Sequence, residues 1–149
     1  MSLKKIRNGL FSLIGLVALL IAASGVVSTA AHACEVPIII DVSPNILNIQ
    51  SKSTVLTVHT DIAFSLVNGS TVCLIIDDLP PVLISWSKAD DCGNFVAKFS
   101  MDDIKPLLEE TGLVGDCKFT VNGTTTSTPA ESFCGDQVIR VANNVPNGK

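Results

Sequence analysis

The first 33 residues have the composition of an export signal and not of a folded domain. Three basic residues within the first seven positions precede an almost unbroken apolar run over residues 10–23, and small residues stand at Ala31 and Ala33. This order of charge, apolar segment and small residues is typical of a secretory signal peptide cleaved after Ala33. We therefore predict that residues 1–33 lie outside the fold, and the 116 residues that remain suit one domain with a single core.

The charge of the remaining chain limits its partners. Seven basic residues stand against fourteen acidic ones, a net charge of −7 with histidine neutral. Such a surface repels nucleic acid and anionic lipid, so we exclude both as partners. No later stretch approaches the roughly 18 continuous apolar residues of a membrane-spanning helix, so contact with a membrane would require a lipid anchor at Cys34.

Five cysteines follow the predicted signal, an odd number. Outside the cytoplasm they indicate disulfides, because their spacing lacks both the close pairs of a zinc site and the C-x-x-C of a redox motif. Cys34 directly follows the predicted cleavage position and is either a lipid anchor or a disulfide partner. If it carries lipid, two bridges remain among the other four cysteines in three possible connectivities: Cys73, Cys92, Cys117 and Cys134.

Short β-prone segments separated by turn residues make up most of the remaining sequence. The predicted strands cover residues 38–41, 46–50, 54–60, 71–76, 82–86, 95–99, 117–121 and 136–142. Ser100 is a predicted N-cap for one short helix over residues 101–110, with a kink or restart at Pro106. Seven or eight strands and one helix predict an all-β, two-layer sandwich over residues 34–145, followed by a polar tail over 146–149.

Three segments at these separations resemble a known family: IDVSPNILNIQSKS, FVAKFSMDDIKPLL and FCGDQVIRV. The family consists of immunoglobulin-like β-sandwich domains in exported and surface proteins of bacteria and archaea. The resemblance spans residues 38–145 and implies an immunoglobulin-like fold, an exported location and a structural or adhesive role, with no catalytic residues to transfer. Many members carry a calcium-like loop before the strand that matches FVAKF; here that loop is residues 88–94, and Cys92 interrupts it.

Two ligand sites follow from the sequence as weaker hypotheses. Asp90, Asp91 and Asn94 supply oxygen ligands for calcium, but their spacing lacks the D-x-D-x-D-G order of a calcium loop and equally fits a solvated turn. Trp86 is the only tryptophan and the only plausible stacking platform for a sugar. The phenylalanines mostly lie in predicted strands, where we expect them to fill the core.

No catalytic pattern is recognisable. His59 is the only histidine after the predicted signal, and it lies within a strand with no G-x-S-x-G motif elsewhere. Four acidic residues on the predicted helix are more simply a solvated face: Asp102, Asp103, Glu109 and Glu110. We therefore predict that the protein is not an enzyme and needs no cofactor.

Two N-x-S/T sequons start at Asn68 and Asn122, both in predicted turns. Each carries a glycan if the host glycosylates, although Asn-Gly is also a common turn dipeptide. The leading hypothesis is a non-catalytic module of the cell surface or periplasm that is structural or binds another exported protein. The alternative is a surface module that binds calcium or a glycan.

Overall fold

A computed structural model describes residues 34–144 of the chain. The predicted signal peptide, Val145 and the predicted tail lie outside the described residues. The described part forms ten strands, one α-helix and one 3-10 turn at Phe64–Leu66. The strands are β1 (Val36–Pro37), β2 (Ile40–Ser43), β3 (Ile46–Asn48), β4 (Val55–Ala63), β5 (Val67–Ile76), β6 (Val82–Leu83), β7 (Trp86–Ala89), β8 (Asn94–Ser100), β9 (Gly115–Thr125) and β10 (Ser132–Ala142), and the helix is α1 (Met101–Thr111).

The strands form two sheets. The first sheet has the order β1-β10-β9-β5-β6, and β3 also pairs with β10. Its long strands β5, β9 and β10 are antiparallel, whereas β1 and β3 run parallel to β10. The second sheet has the order β2-β4-β8-β7 and is antiparallel throughout. The observed architecture confirms a mostly β, two-sheet fold with one helix.

The inner faces of both sheets contribute to one hydrophobic core. Along β4 and β9 buried and more exposed residues alternate, as expected for strands with one face on the core. Four phenylalanines lie fully buried in it, which confirms the prediction for these rings: Phe95, Phe99, Phe119 and Phe133. Phe64 differs, because its ring is partly exposed and stacks on Phe95 with centroids 5.8 Å apart.

Two of the predicted strands, residues 38–41 and 82–86, lie where the chain crosses from one sheet to the other. Residues 36–43 provide β1 to the first sheet and β2 to the second, and residues 82–89 provide β6 and then β7. At the second crossing, Ile84 N–H donates to Val72 O of the first sheet (3.2 Å), and Ser85 N–H donates to Lys98 O of the second (2.8 Å). The predicted count of seven or eight strands is therefore wrong, since β-propensity does not indicate which sheet a residue joins.

Helix α1 has the predicted start and a regular end. Ser100 Oγ accepts a hydrogen bond from Asp102 N–H at 3.1 Å, which satisfies one free donor of the first turn. Gly112 ends the helix with φ of 64°, a left-handed conformation that suits glycine. The helix continues through Pro106 without the predicted restart, and its apolar side contacts the core through Met101, Ile104 and Leu108.

The close approach of β9 to the core predicts the effect of adding one methyl group. A Cβ at Gly123 would lie 2.5 Å from Phe133 Cζ, whereas a Cβ at Gly69 would meet only Ser87 Oγ at 3.7 Å. We expect Gly123→Ala to lower the free energy of unfolding by about 1–3 kcal/mol through overpacking. Gly69→Ala, the matched control, should change it little. Urea unfolding measures both, and equal losses would contradict the packing described.

Candidate functional site

Cys34 is joined to Cys134 by a disulfide bond across 100 residues, with Cα atoms 5.6 Å apart. The pairing of β1 with β10 brings them together, because Pro37 lies opposite Cys134 in parallel register. Glu35 N–H also donates to Ser132 O at 3.1 Å. Since structural disulfides persist mainly in oxidising compartments, this bond indicates a location outside the cytoplasm.

The observed pairing decides between the two alternatives for Cys34 in this structure, because a sulfur bonded to Cys134 has no valence for a lipid thioether. The other three cysteines are free: Cys73, Cys92 and Cys117. The two bridges considered among the last four cysteines are therefore not formed. Cys73 and Cys134 both lie opposite Asn122 of β9, so a whole strand separates them. Two strand spacings exceed the roughly 7 Å Cα separation that a disulfide spans.

The free cysteines have three different environments. Cys92 is exposed at the tip of the β7–β8 hairpin, Cys73 is half-buried on β5, and Cys117 is buried on the inner side of β9. Burial raises the pKa of the Cys73 thiol. Burial also raises the pKa of Cys117, and the adjacent carboxylate of Asp77 raises it further by its charge and a hydrogen bond. Both thiols therefore stay protonated at neutral pH, and a protonated thiol is a poor nucleophile.

The loop that carries the calcium hypothesis is a hydrogen-bonded turn. Asp90 Oδ1 accepts from Cys92 N–H at 2.9 Å and from Asn94 N–H at 2.8 Å. Gly93 closes the turn with φ of 84°. Within residues 34–144 no three His, Cys, Asp or Glu side chains are grouped so that they could hold a metal. Oδ1 of Asp90 therefore already accepts hydrogen bonds from two backbone N–H groups, and Asp91 lies exposed beside it.

Trp86 lies at the start of edge strand β7, with half of its surface exposed. Lys98 is its cross-strand neighbour on β8, and the Lys98 ammonium lies 5.5 Å from the centroid of the indole ring. The same ammonium donates to Thr57 Oγ1 of β4 at 2.7 Å. These three side chains form a row across the outer face of the second sheet, which we call the Trp86 row.

The remaining residues considered for catalysis are dispersed. His59 is exposed on β4, opposite Asp41 of β2 and Val96 of β8. The four acidic side chains of α1 all face solvent: Asp102, Asp103, Glu109 and Glu110. The structure brings neither His59 nor this acidic face into the Trp86 row.

The edges of the two sheets differ in how they are protected. At the β2 edge, side chains cap the backbone: Val42 N–H donates to Gln137 Oε1 at 2.7 Å, and Ile39 N–H donates to Asp61 Oδ1 at 2.8 Å. At one edge of the first sheet, β6 has only two residues and two prolines precede it, and at the other edge β1 has two residues and β3 has three. Caps and short strands of this kind discourage pairing with another chain.

Strand β7 presents a longer edge. It has four residues and, among the described strands, pairs with β8 alone. Asp90 N–H donates to Asn94 O toward β8 at 2.9 Å, so the preceding N–H of Ala89 points to the open side by strand alternation. The sequence pattern does not reveal this edge, because the predicted strand over residues 82–86 combines β6 with the first residue of β7.

No helix among the described residues is long and apolar enough to cross a membrane. Comparison of the chain with known protein families, with curated proteins and with solved structures finds no match.

The disulfide predicts a large loss of stability on its removal. We expect the double variant Cys34→Ser/Cys134→Ser to lose about 2–5 kcal/mol of unfolding free energy, because the open unfolded chain gains conformational freedom. Cys92→Ser, at an exposed free thiol, is the control and should unfold like the wild type. A double variant as stable as the control would contradict a structural role for the bond.

The three free thiols should react with iodoacetamide in the order of their exposure. We expect Cys92 to be alkylated first in the native protein, Cys73 more slowly, and Cys117 only after unfolding. Because its pKa is raised, Cys73 should need a pH above the usual thiol range for its full rate. Peptide mass spectrometry after timed quenching measures each rate, and early modification of Cys117 would contradict its burial.

Proposed function

We propose that this chain is an exported, non-catalytic β-sandwich module of immunoglobulin-like type, which acts in structure or protein interaction at the cell surface or in the periplasm. The signal-like N-terminus and the Cys34–Cys134 disulfide support export. The two-sheet fold, with edge segments that cross between sheets, supports the immunoglobulin-like assignment.

The open edge of β7 is the observation that carries the interaction role. The β2 edge is capped by side chains and β6 is short, but the backbone of β7 has an unpaired side with the N–H of Ala89 directed outward. An extended segment of another chain gains main-chain hydrogen bonds by adding to such an edge. Edge pairing at β7 is therefore the binding mode that we propose.

The Trp86 row would then supply side-chain contacts next to the added strand. Tryptophan often dominates binding energy at interfaces, because a large rigid ring buries much area at a small cost in conformational entropy. Lys98 already contacts the ring and is held by Thr57, so this part of the surface is ordered before binding. The partner that fits is an exported protein with an extended segment that places an apolar side chain over the indole.

A photo-crosslinking amino acid at position 88 tests this proposal. Lys88 is exposed on β7, and Lys118 on the outer face of the first sheet is the matched control, since both replacements remove one exposed lysine. In cells of the source organism we expect one defined crosslinked protein from position 88 and none from position 118. Adding Ala89→Pro removes the outward N–H and should abolish that crosslink while the fold is retained.

Two results would contradict edge pairing. One is an equal pattern of crosslinks from positions 88 and 118. The other is a crosslink from position 88 that Ala89→Pro leaves unchanged, because pairing requires the outward N–H. Circular dichroism of the Ala89→Pro variant shows whether the sheet is intact, so that loss of the crosslink is not confused with unfolding.

Glycan binding at Trp86 is the second candidate function, supported by the half-exposed indole. Trp86 is the only tryptophan in the chain, so its fluorescence reports directly on this site. Titration with surface polysaccharides would shift the emission if a sugar stacks on the ring. Calorimetry on two variants tests binding itself, because Trp86→Phe keeps an aromatic ring at this position and Trp86→Ala removes it. A heat of binding that survives Trp86→Ala would exclude this site.

A further inference from the structure

The two sequons have very different surroundings on the outer face of the first sheet. Asn68 lies at the start of β5, opposite Thr124 of β9, whereas Asn122 lies in the middle of β9 between β5 and β10. Both asparagines point away from the core, because their neighbours Val67 and Gly123 are buried. Their side chains therefore share a face but not an environment.

Asn68 is exposed and lies at an irregular point of its strand. The register of β5 against β9 shifts between Asn68 and Cys73, which interrupts the regular ladder there. Ser70 Oγ, the hydroxyl of the sequon, donates to Asn68 Oδ1 at 2.8 Å. Thr71 Oγ1 donates to Asn68 O at 2.8 Å. The acceptor amide and the sequon hydroxyl thus lie together at the surface.

Asn122 is constrained by strands on both sides. It lies opposite Cys73 on β5 and Cys134 on β10, and it is half-buried. Its Oδ1 is buried and has no hydrogen-bond partner among the described residues. The hydroxyl of its sequon, on Thr124, bonds to Thr71 Oγ1 at 3.1 Å and not to Asn122. An oligosaccharide on this amide would have to displace the packing around it.

We infer that Asn68 is an N-glycosylation site of the exported protein and that Asn122 in the folded protein is not. The amide nitrogen of Asn68 attacks the anomeric carbon of a lipid-linked oligosaccharide, and a C–N bond forms. The C–O bond to the lipid phosphate breaks, the phosphate leaves with the electron pair, and the nitrogen releases one proton to a base of the transferase. An oligosaccharide at this position extends into solvent without moving a buried group.

The inference requires export of the chain but no partner at β7. A failed crosslink at β7 therefore leaves it intact, and an unglycosylated protein leaves the edge-pairing proposal intact. Intact mass and glycopeptide mass of the processed protein, purified from the source organism, test it. We expect a mass above that of the polypeptide by one oligosaccharide, located on the peptide that contains Asn68.

Matched variants make the assignment specific. Asn68→Gln and Ser70→Ala should each return the mass to that of the polypeptide, and Ser70→Thr, which keeps the hydroxyl, should retain the oligosaccharide. Asn122→Gln should leave the added mass unchanged. An unmodified wild-type protein, or an oligosaccharide that remains in Asn68→Gln or lies on Asn122, would overturn the inference.

Discussion

Strand β10, near the C-terminal end of the described residues, is the element on which the rest of the domain depends, because it holds the N-terminal strands in the first sheet. One edge of β10 pairs with β9 over ten residue pairs, and the other edge pairs with β1 and then with β3. Gln137 of β10 also reaches the second sheet, where it accepts the N–H of Val42. Cys134 adds a covalent bond to Cys34. Loss of β10 would therefore release the N-terminal strands together with the edge of the second sheet.

How much of the fold can be predicted from the sequence depends on how far apart along the chain the interacting residues lie. The strand cores, helix α1 and its cap at Ser100 were predictable, because alternation and capping are properties of neighbouring residues. The division of residues 82–89 into β6 and β7 was not, since Ile84 bonds to Val72 and Ser85 bonds to Lys98. Those partners lie 12 or 13 positions away and become visible only when both sheets are assembled.

The candidate site shows the same limit. The sequence singled out Trp86 as the stacking platform for a sugar, and the structure places it half exposed at an edge. The contact with Lys98 and the further bond to Thr57 depend on the register of three strands, which no local pattern encodes. The pairing of Cys34 with Cys134 likewise depends on the parallel addition of β1 to β10, whereas the spacing of cysteines leaves every connectivity open.

One disulfide and three free thiols in the same small domain raise the question of internal exchange, in which a thiolate attacks a disulfide sulfur. Cys73 lies in the same cross-strand row as Cys134, but Asn122 of β9 lies between them. Burial also raises the pKa of the Cys73 thiol. Cys117 lies on the core face of β9, away from the outer face that carries Cys73 and Cys134. Burial and the carboxylate of Asp77 raise its pKa and so keep its thiol protonated. Distance and suppressed ionisation thus act together at these two positions. The fold itself thereby protects the bond that joins the N-terminal strand to β10.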